Sequence, residues 1–495
     1  MRRLLLGAGA SAALALLLLA VFDAVQLINY DTLYTVIWGR DLARGDLPDL
    51  EVALAPTPHP LQELASMPLV LLFGDAPEFG TAAAWVVSGG AYLLLGVLGV
   101  LVFALGRAWF GWAAGALAAL IVLTREPVLS YGLRAYVDLP YLCLLLGALL
   151  VETRRPRAGW PVLALLALAG LLRPEAWLFS GAYVLWLAWG DDGLRGGALV
   201  RLVVLAASAP VLWALHDLLL TGNPLWSLTG TRDNAAELGR KTGLLNVPTT
   251  LPRRIGEILR EPVLLAAAGG LGFALWKLRD RARLGVVAGL LGLAAFTVLA
   301  TAGLSILVRY LLPVATIGAL FAGAGVFGWM LLDRDDPARR WWIGFAAMVV
   351  LALVAFTPKQ VDRLDSLQRA LSTQEAIVGD LETFFSADPP GEVCPVYVVP
   401  NRRPVPYVAL WTGGQPGDVE LEEEPVTRAE ALTPGATTTG VLSTTLGPVT
   451  SFVPRTREIA DDFILDARDR NRTLPEPIPG APVTTTRFWT ASALC

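Results

Sequence analysis

Hydrophobic positions along this chain come in blocks, not in the stripes of an amphipathic helix or the alternation of a half-buried strand. Apolar runs lie near 4–27, 79–105, 110–137, 138–152, 198–219, 262–277, 284–305, 311–332 and 341–357, and most reach the roughly 20 residues that take a helix across a bilayer. Inside hydrocarbon every backbone N–H and C=O needs a partner within the protein, so such runs predict helices. The stretch 160–189 is apolar except for Arg173-Pro174-Glu175 at its middle. Proline disfavours helix in the residue before it, and charges are costly at membrane depth. This stretch therefore predicts two short helices, up and back, breaking at the polar triplet. Together the runs predict an all-α polytopic membrane domain over 1–357 with about eleven crossings.

Arginine gives the orientation. Arg2, Arg3, Arg107, Arg154, Arg155, Arg157, Arg195, Arg201 and the stretches Lys277–Arg283 and Arg334–Arg340 fall in short connections on one side. The positive-inside tendency makes that side the cytoplasm. An odd number of crossings from a cytoplasmic N-terminus leaves the C-terminus outside, together with the loop 28–78, the turn 134–138 and the loop 221–261. Met1-Arg2-Arg3 before a Leu/Ala-rich core also has the form of a signal peptide. The length of the run, and the lack of a clean small-x-small site after Leu19, favour an uncleaved first span.

The first outer loop is rich in Asp, Glu and Pro and has partial helical periodicity around Leu33–Leu42, which predicts short helices along the membrane surface. The tail, 358–495, begins with a helical pattern from Val361 to Phe385. It continues with Val/Tyr/Thr-rich pieces, Val396–Val399 and Val405–Trp411, among many Pro and Gly, and so predicts an extracytoplasmic α+β domain. Asn471-Arg472-Thr473 has the form of a glycosylation sequon, a triplet common by chance. No internal repeat of the kind built into many transporters is visible.

Composition agrees with a membrane protein: 55% of residues are hydrophobic and only 17% charged, with a mean hydropathy of +0.56. A net charge of −4 and the absence of a basic tail exclude a nucleic-acid partner. The three cysteines form no metal-binding or redox motif. Cys143 lies in an apolar run. Cys394 and Cys495 bracket the polar tail and either pair, if the tail faces an oxidising compartment, or stand as two thiols.

Polar groups that persist at membrane depth are the default functional candidates. Here they gather at the outer face: Asp31 after the first span, Arg134 and Asp138 at a turn, Arg173 and Glu175 in the hairpin, His216-Asp217 at the end of a span, and Arg309-Tyr310 at the start of another. Arg134, Arg173 and Arg309 run against the positive-inside tendency, and guanidinium forks suit the phosphate of a lipid presented from the outer leaflet. The alternative is internal pairing, for instance Arg134 with Asp138 at i,i+4. For Asp31 the alternative is a helix-capping carboxylate. For His59 and His216 hydrogen-bonded structural roles outweigh a metal site.

The order of these motifs resembles the GT-C superfamily of polytopic glycosyltransferases, in particular bacterial relatives of protein O-mannosyltransferases and lipid A aminoarabinose transferases. The resemblance spans roughly 1–330. Its residues are Asn29-Tyr30-Asp31-Thr32-Leu33-Tyr34 and Gly39-Arg40-Asp41-Leu42-Ala43-Arg44-Gly45, then Pro58-His59-Pro60-Leu61 and Leu69-Val70-Leu71-Leu72-Phe73-Gly74. Val137-Asp138-Leu139-Pro140, Leu172-Arg173-Pro174-Glu175, Gly222-Asn223-Pro224-Leu225 and Arg309-Tyr310-Leu311-Leu312-Pro313 follow. The resemblance implies a bacterial inner-membrane enzyme that moves a monosaccharide from a polyprenyl-phosphate carrier to an extracytoplasmic glycan, lipid or protein acceptor, with inversion. It implies Asp31 as the base, Arg173, Arg309 and Arg134 on the donor phosphate, and Tyr30, His59, Asp138, Glu175, Tyr310 and His216 around the substrates. Many relatives have paired acids where this chain has Asp31-Thr32, so a divalent metal is not indicated and no cofactor is expected. The competing readings are a transporter or lipid flippase, and an inactive relative that scaffolds envelope assembly. The first predicts polar groups at mid-membrane and repeat symmetry; the second predicts that Asp31 is dispensable.

Overall fold

A computed structural model describes residues 2–50, 52, 54–74, 78–189, 193–421, 448–456 and 476–495. They pack into two compact units, Met1–Ala24, His59–Leu61 and Ser88–Gln368 in the first, and Val25–Pro58, Gln62–Val87 and Arg369–Cys495 in the second. Most of the 28–78 segment thus packs in one unit with the tail from Arg369. The sequon at Asn471 lies outside the described residues.

In chain order, α1 (Arg2–Val21) is followed by the two helices of the 28–78 segment, α2 (Tyr30–Arg44) and α3 (Pro60–Phe73), and by the long α4 (Glu78–Phe110). Then come α5 (Trp112–Leu123), α6 (Glu126–Leu133), α7 (Asp138–Arg154), α8 (Trp160–Gly170), α9 (Glu175–Ala188) and α10 (Gly196–Thr221). The next outer segment is α11 (Trp226–Glu237) and α12 (Val247–Leu259), after which α13 (Glu261–Lys277), α14 (Arg279–Thr301), α15 (Leu312–Phe327) and α16 (Pro337–Glu382) complete the apolar series. Among the described residues, five helices are long and apolar enough to cross a membrane, or up to seven spans if each bent pair counts as one. The shorter apolar helices Leu5–Val21 and Trp160–Gly170 occupy two further positions of expected crossings.

The breaks have local causes. α5 and α6 meet at 63°, with Arg125 extended between them and Pro127, which has no N–H to bond back to the preceding turn, at the start of α6. α12 and α13 meet at 106°, with Arg260 between them at φ +66, a left-handed conformation that a side chain rarely adopts. The 160–189 hairpin folds as α8 and α9 around the Arg173-Pro174 step. Its apolar faces pack with α7 into one core that includes Tyr141, Leu145, Leu163, Leu166, Ala176 and Phe179. The outer segment 221–261 is helical where the sequence suggested a loop.

In the second unit, β1 (Val396–Val399), α17 (Val405–Thr412), β2 (Val419–Leu421), β3 (Val449–Pro454), β4 (Val483–Thr485) and β5 (Trp489–Leu494) follow the end of α16. The strands form one mixed sheet in the order β2-β1-β3-β5-β4, with β1 parallel to β2 and β3, and β5 antiparallel to β3 and β4. Val405–Trp411 is helix and not strand, because Pro404 and Pro406 start a helix well and the segment supplies the crossover between two parallel strands. The Val361–Phe385 pattern is not a separate helix: α16 runs on from the apolar span through Pro358. Its last turns seat the sheet, with Asp380 accepting from Thr486 Oγ1 and the Phe488 N–H, each at 2.6 Å, and the buried Trp489 indole donating to Ile377 O. Cys394, before β1, and Cys495, after β5, are joined by a disulfide. Cys143 is buried and unoxidised.

Candidate functional site

Asp31 lies in the first turn of α2, half-buried, in the second unit. It is not the helix cap. Asn29 holds that place, in extended backbone, and its side-chain oxygen accepts from the Thr32 N–H at 3.1 Å. The cap of α2 is therefore supplied two residues ahead of Asp31. The Asp31 carbonyl accepts from Thr35 Oγ1.

The segment around Asp31 is braced within its unit from three directions. Tyr30, Tyr34 and Trp38 stack at i,i+4 steps, with ring centroids 4.8 and 5.3 Å apart, and the Tyr30 hydroxyl donates to Leu54 O. From α3, the Gln62 amide donates to Thr32 Oγ1 at 3.1 Å. The two helices cross closely at Gly39, where a Cβ would meet Glu63 O and Ser66 Cβ at 2.7 Å. From the tail, the Tyr407 hydroxyl donates to Ile28 O at 2.7 Å, and the Arg402 guanidinium lies 5.6 Å from the Tyr30 ring centre. Arg40 is 1% exposed, pairs with Asp41 at 2.9 Å and donates to Gly414 O at 2.6 Å. Burial pushes the Asp41 carboxyl above its ordinary value while Arg40 opposes the shift.

The arginines and their carboxylates gather in the first unit. Arg173, at the α8–α9 hinge, donates through Nη1 to Asp138 Oδ1, and through Nε and Nη2 to Glu175 Oε1 at 3.0 and 2.5 Å. All three residues are buried. The pairing of Asp138 is thus with Arg173, 35 positions away, whereas Arg134 donates to Ser130 Oγ. Asp138 Oδ2 and Glu175 Oε2 are enclosed and accept no hydrogen bond. Arg309, in the 3-10 turn Val308–Leu311 ahead of α15, approaches Asp138 Oδ2 at 3.9 Å and keeps 18% of its side chain exposed. Tyr310 lies between the two guanidinium groups, 4.4 Å from Arg173 and 5.7 Å from Arg309. Chemically, the cluster is a rigid anchor, Arg173 saturated by two carboxylates, beside a partly accessible cation, Arg309.

Sequence reasoning missed several residues here. Tyr141 and Tyr136 face Arg173 and Arg309 respectively. Arg254 of α12 joins Arg309 in acting on Tyr131. Arg253-Arg254 lies in the segment expected outside, where it runs against the positive-inside tendency as Arg309 does, and that signal was available. The histidines belong to another part of the unit. His59 meets the Trp213 ring edge-on at 6.0 Å, and His216 Nδ1 is 3.6 Å from Asp217, whose carboxylate also receives the Ser227 N–H and hydroxyl. Among the described residues no three of His, Cys, Asp and Glu converge as a metal site.

No protein-family model matches the chain, and no curated protein matches it. Solved structures do. The crystal structure of ArnT from Cupriavidus metallidurans bound to undecaprenyl phosphate aligns over 98% of this chain and 97% of its own, with a TM-score of 0.56 and 14% identity. The apo structure of the same protein aligns over 98% of both chains, with a TM-score of 0.53 and 16% identity. The chain has the fold of ArnT over nearly its whole length.

Proposed function

We propose that this protein is a membrane glycosyltransferase that moves a monosaccharide from a polyprenyl-phosphate carrier to an extracytoplasmic acceptor. The observation that supports it above all is the whole-length likeness to a structure holding undecaprenyl phosphate. In this reading the chain crosses a bacterial inner membrane about eleven times, with the N-terminus in the cytoplasm and the tail outside. A disulfide between Cys394 and Cys495 suits that placement, since such bonds persist in oxidising compartments.

The chemistry follows from the groups present. An acceptor hydroxyl is a weak nucleophile, and the Asp31 carboxylate takes its proton as the oxygen bonds to the anomeric carbon. The bond from that carbon to the phosphate oxygen breaks, and polyprenyl phosphate leaves with the electron pair and needs no proton. Arg309 stabilises the charge that develops on it, with Arg173 and its carboxylates fixing Tyr310 alongside and Arg134 as a further cation for the phosphate. Attack opposite the leaving group inverts the anomeric carbon. No step uses a metal. Tyr30, His59, Asp138, Glu175, Tyr310 and His216 shape the substrate sites.

The test is transfer from radiolabelled polyprenyl-phosphate sugars by purified native protein and Asp31→Asn. Native turnover that falls by about 10²–10⁴ in the variant is expected from loss of a general base. Equal behaviour of the two forms sinks the reading.

A further inference from the structure

Away from these residues, at the other end of the helices, the first unit has a partly open cavity of about 420 Å³ among the ends of α4, α7, α8, α9 and α14. Its volume is within the roughly 300–1,000 Å³ of small-ligand pockets. The lining is sorted by depth. Glu152, Thr153, Asp280, Arg281 and Arg283 stand at the mouth, in the last turn of α7 and the first of α14. Leu145, Leu166, Phe179 and Leu291 line the far end. From Asp280 to Leu291 the helical rise is roughly 16 Å, about half of a 30 Å hydrocarbon core.

The mouth is built. Thr153 Oγ1 accepts from the Trp109 indole at 3.0 Å, and Arg281 reaches the Trp109 carbonyl. Glu152 is fixed by the Tyr183 hydroxyl at 2.6 Å and the Arg157 backbone N–H at 2.7 Å, which leaves Arg281 and Arg283 as the cations of this lining. Arg281 and Arg283 are both exposed. A site charged at one end and apolar along roughly half the thickness of a hydrocarbon core matches an amphiphile with a single inserted chain.

We propose that this cavity binds one acyl chain of a glycerophospholipid from the leaflet at the arginine-rich ends of the helices, with the lipid phosphate against Arg281 and Arg283. Guanidinium forks match phosphate oxygens, and the shaft offers the chain apolar walls in place of neighbouring lipid. A lipid seated there braces α14 against α7 and α9.

The test uses full-length protein in phosphatidylethanolamine/phosphatidylglycerol vesicles that contain a trace of either lipid with a diazirine near the end of one acyl chain. After photolysis, label mapped by peptide mass spectrometry should concentrate on α7, α9 and α14 for both lipids, since both present a phosphate. Ala182→Trp, which fills the shaft, should lower that label about tenfold, and Arg281→Gln with Arg283→Gln should do likewise. Val204→Trp on exposed α10 should leave it unchanged. Should Ala182→Trp fail to fold, Ala148→Leu narrows the same shaft more gently. Label spread evenly over α10 and the cavity helices, or indifferent to the filled shaft, overturns the site. Label indifferent to the arginine pair overturns the phosphate contact.

Discussion

The hydroxyl of Tyr407 donates to the backbone carbonyl of Ile28 at 2.7 Å, across 379 positions of sequence. Ile28 stands one residue ahead of the Asn29 cap and three ahead of Asp31, so the tail directly holds the segment on which the proposed base is mounted. Tyr407→Phe removes the donor and leaves a buried carbonyl unsatisfied, at a cost of about 1–3 kcal/mol. As a positioning residue, Tyr407 should affect turnover and not donor affinity. The expected result is a kcat about tenfold lower with an unchanged donor KM. A rise in KM with kcat preserved contradicts a positioning role.

Arg173 presents the opposite case, a charge whose partners are all internal. Removing one member of a buried ion pair strands the others, typically at about 3–5 kcal/mol. Arg173→Met should therefore lower the thermal midpoint strongly, whatever it does to activity. Neutralising the whole group, Arg173→Met with Asp138→Asn and Glu175→Gln, should recover much of the loss, because no charge is then left buried alone. Thermal unfolding in one detergent compares the three proteins. A triple variant less stable than the single one contradicts the account.

These two cases separate what was legible in the sequence from what was not. The spans and the 160–189 hairpin could be read because membrane depth forces apolar runs and makes an Arg-Pro-Glu interruption conspicuous. Arg173, Asp138 and Arg309 could be listed as candidates by the same cost. Their pairing could not, since Arg134 with Asp138 satisfies helical spacing while the pair that forms depends on how α7 packs against the hairpin. Val405–Trp411 reads as strand by residue type, and only its place between two parallel strands makes it a helix. Tyr407 and Arg402 were invisible because nothing local in a polar tail reveals a contact with a loop at the far end of the chain.

Asp41 offers a pH test. Burial raises its carboxyl above the ordinary value of about 3.9, so the folded state takes up a proton before the unfolded state does. Where the folded state binds more protons, stability falls as pH rises. The wild type should thus gain stability over Asp41→Asn as pH is lowered from neutral toward the ordinary carboxylate value, and the difference should level off below it. Chemical unfolding of both proteins across that range checks the sign. A gap that moves in favour of the variant on acidification means that Arg40, not burial, dominates at Asp41.

Arg309 should separate donor binding from stability in a way that Arg173 cannot. It keeps 18% of its side chain exposed and approaches Asp138 only at 3.9 Å, so its charge is less deeply buried than that of Arg173. Arg309→Gln should shift the thermal midpoint only slightly. If its guanidinium meets the donor phosphate, losing a charge-assisted contact should cost on the order of 1.5–3 kcal/mol, or about ten- to a hundredfold in kcat/KM. Arg309→Lys keeps the charge but not the fork and should recover only part of that loss. Steady-state kinetics over a range of donor concentrations gives both numbers. Wild-type kcat/KM in Arg309→Gln removes Arg309 from the donor site, and full recovery by lysine leaves charge alone as its contribution.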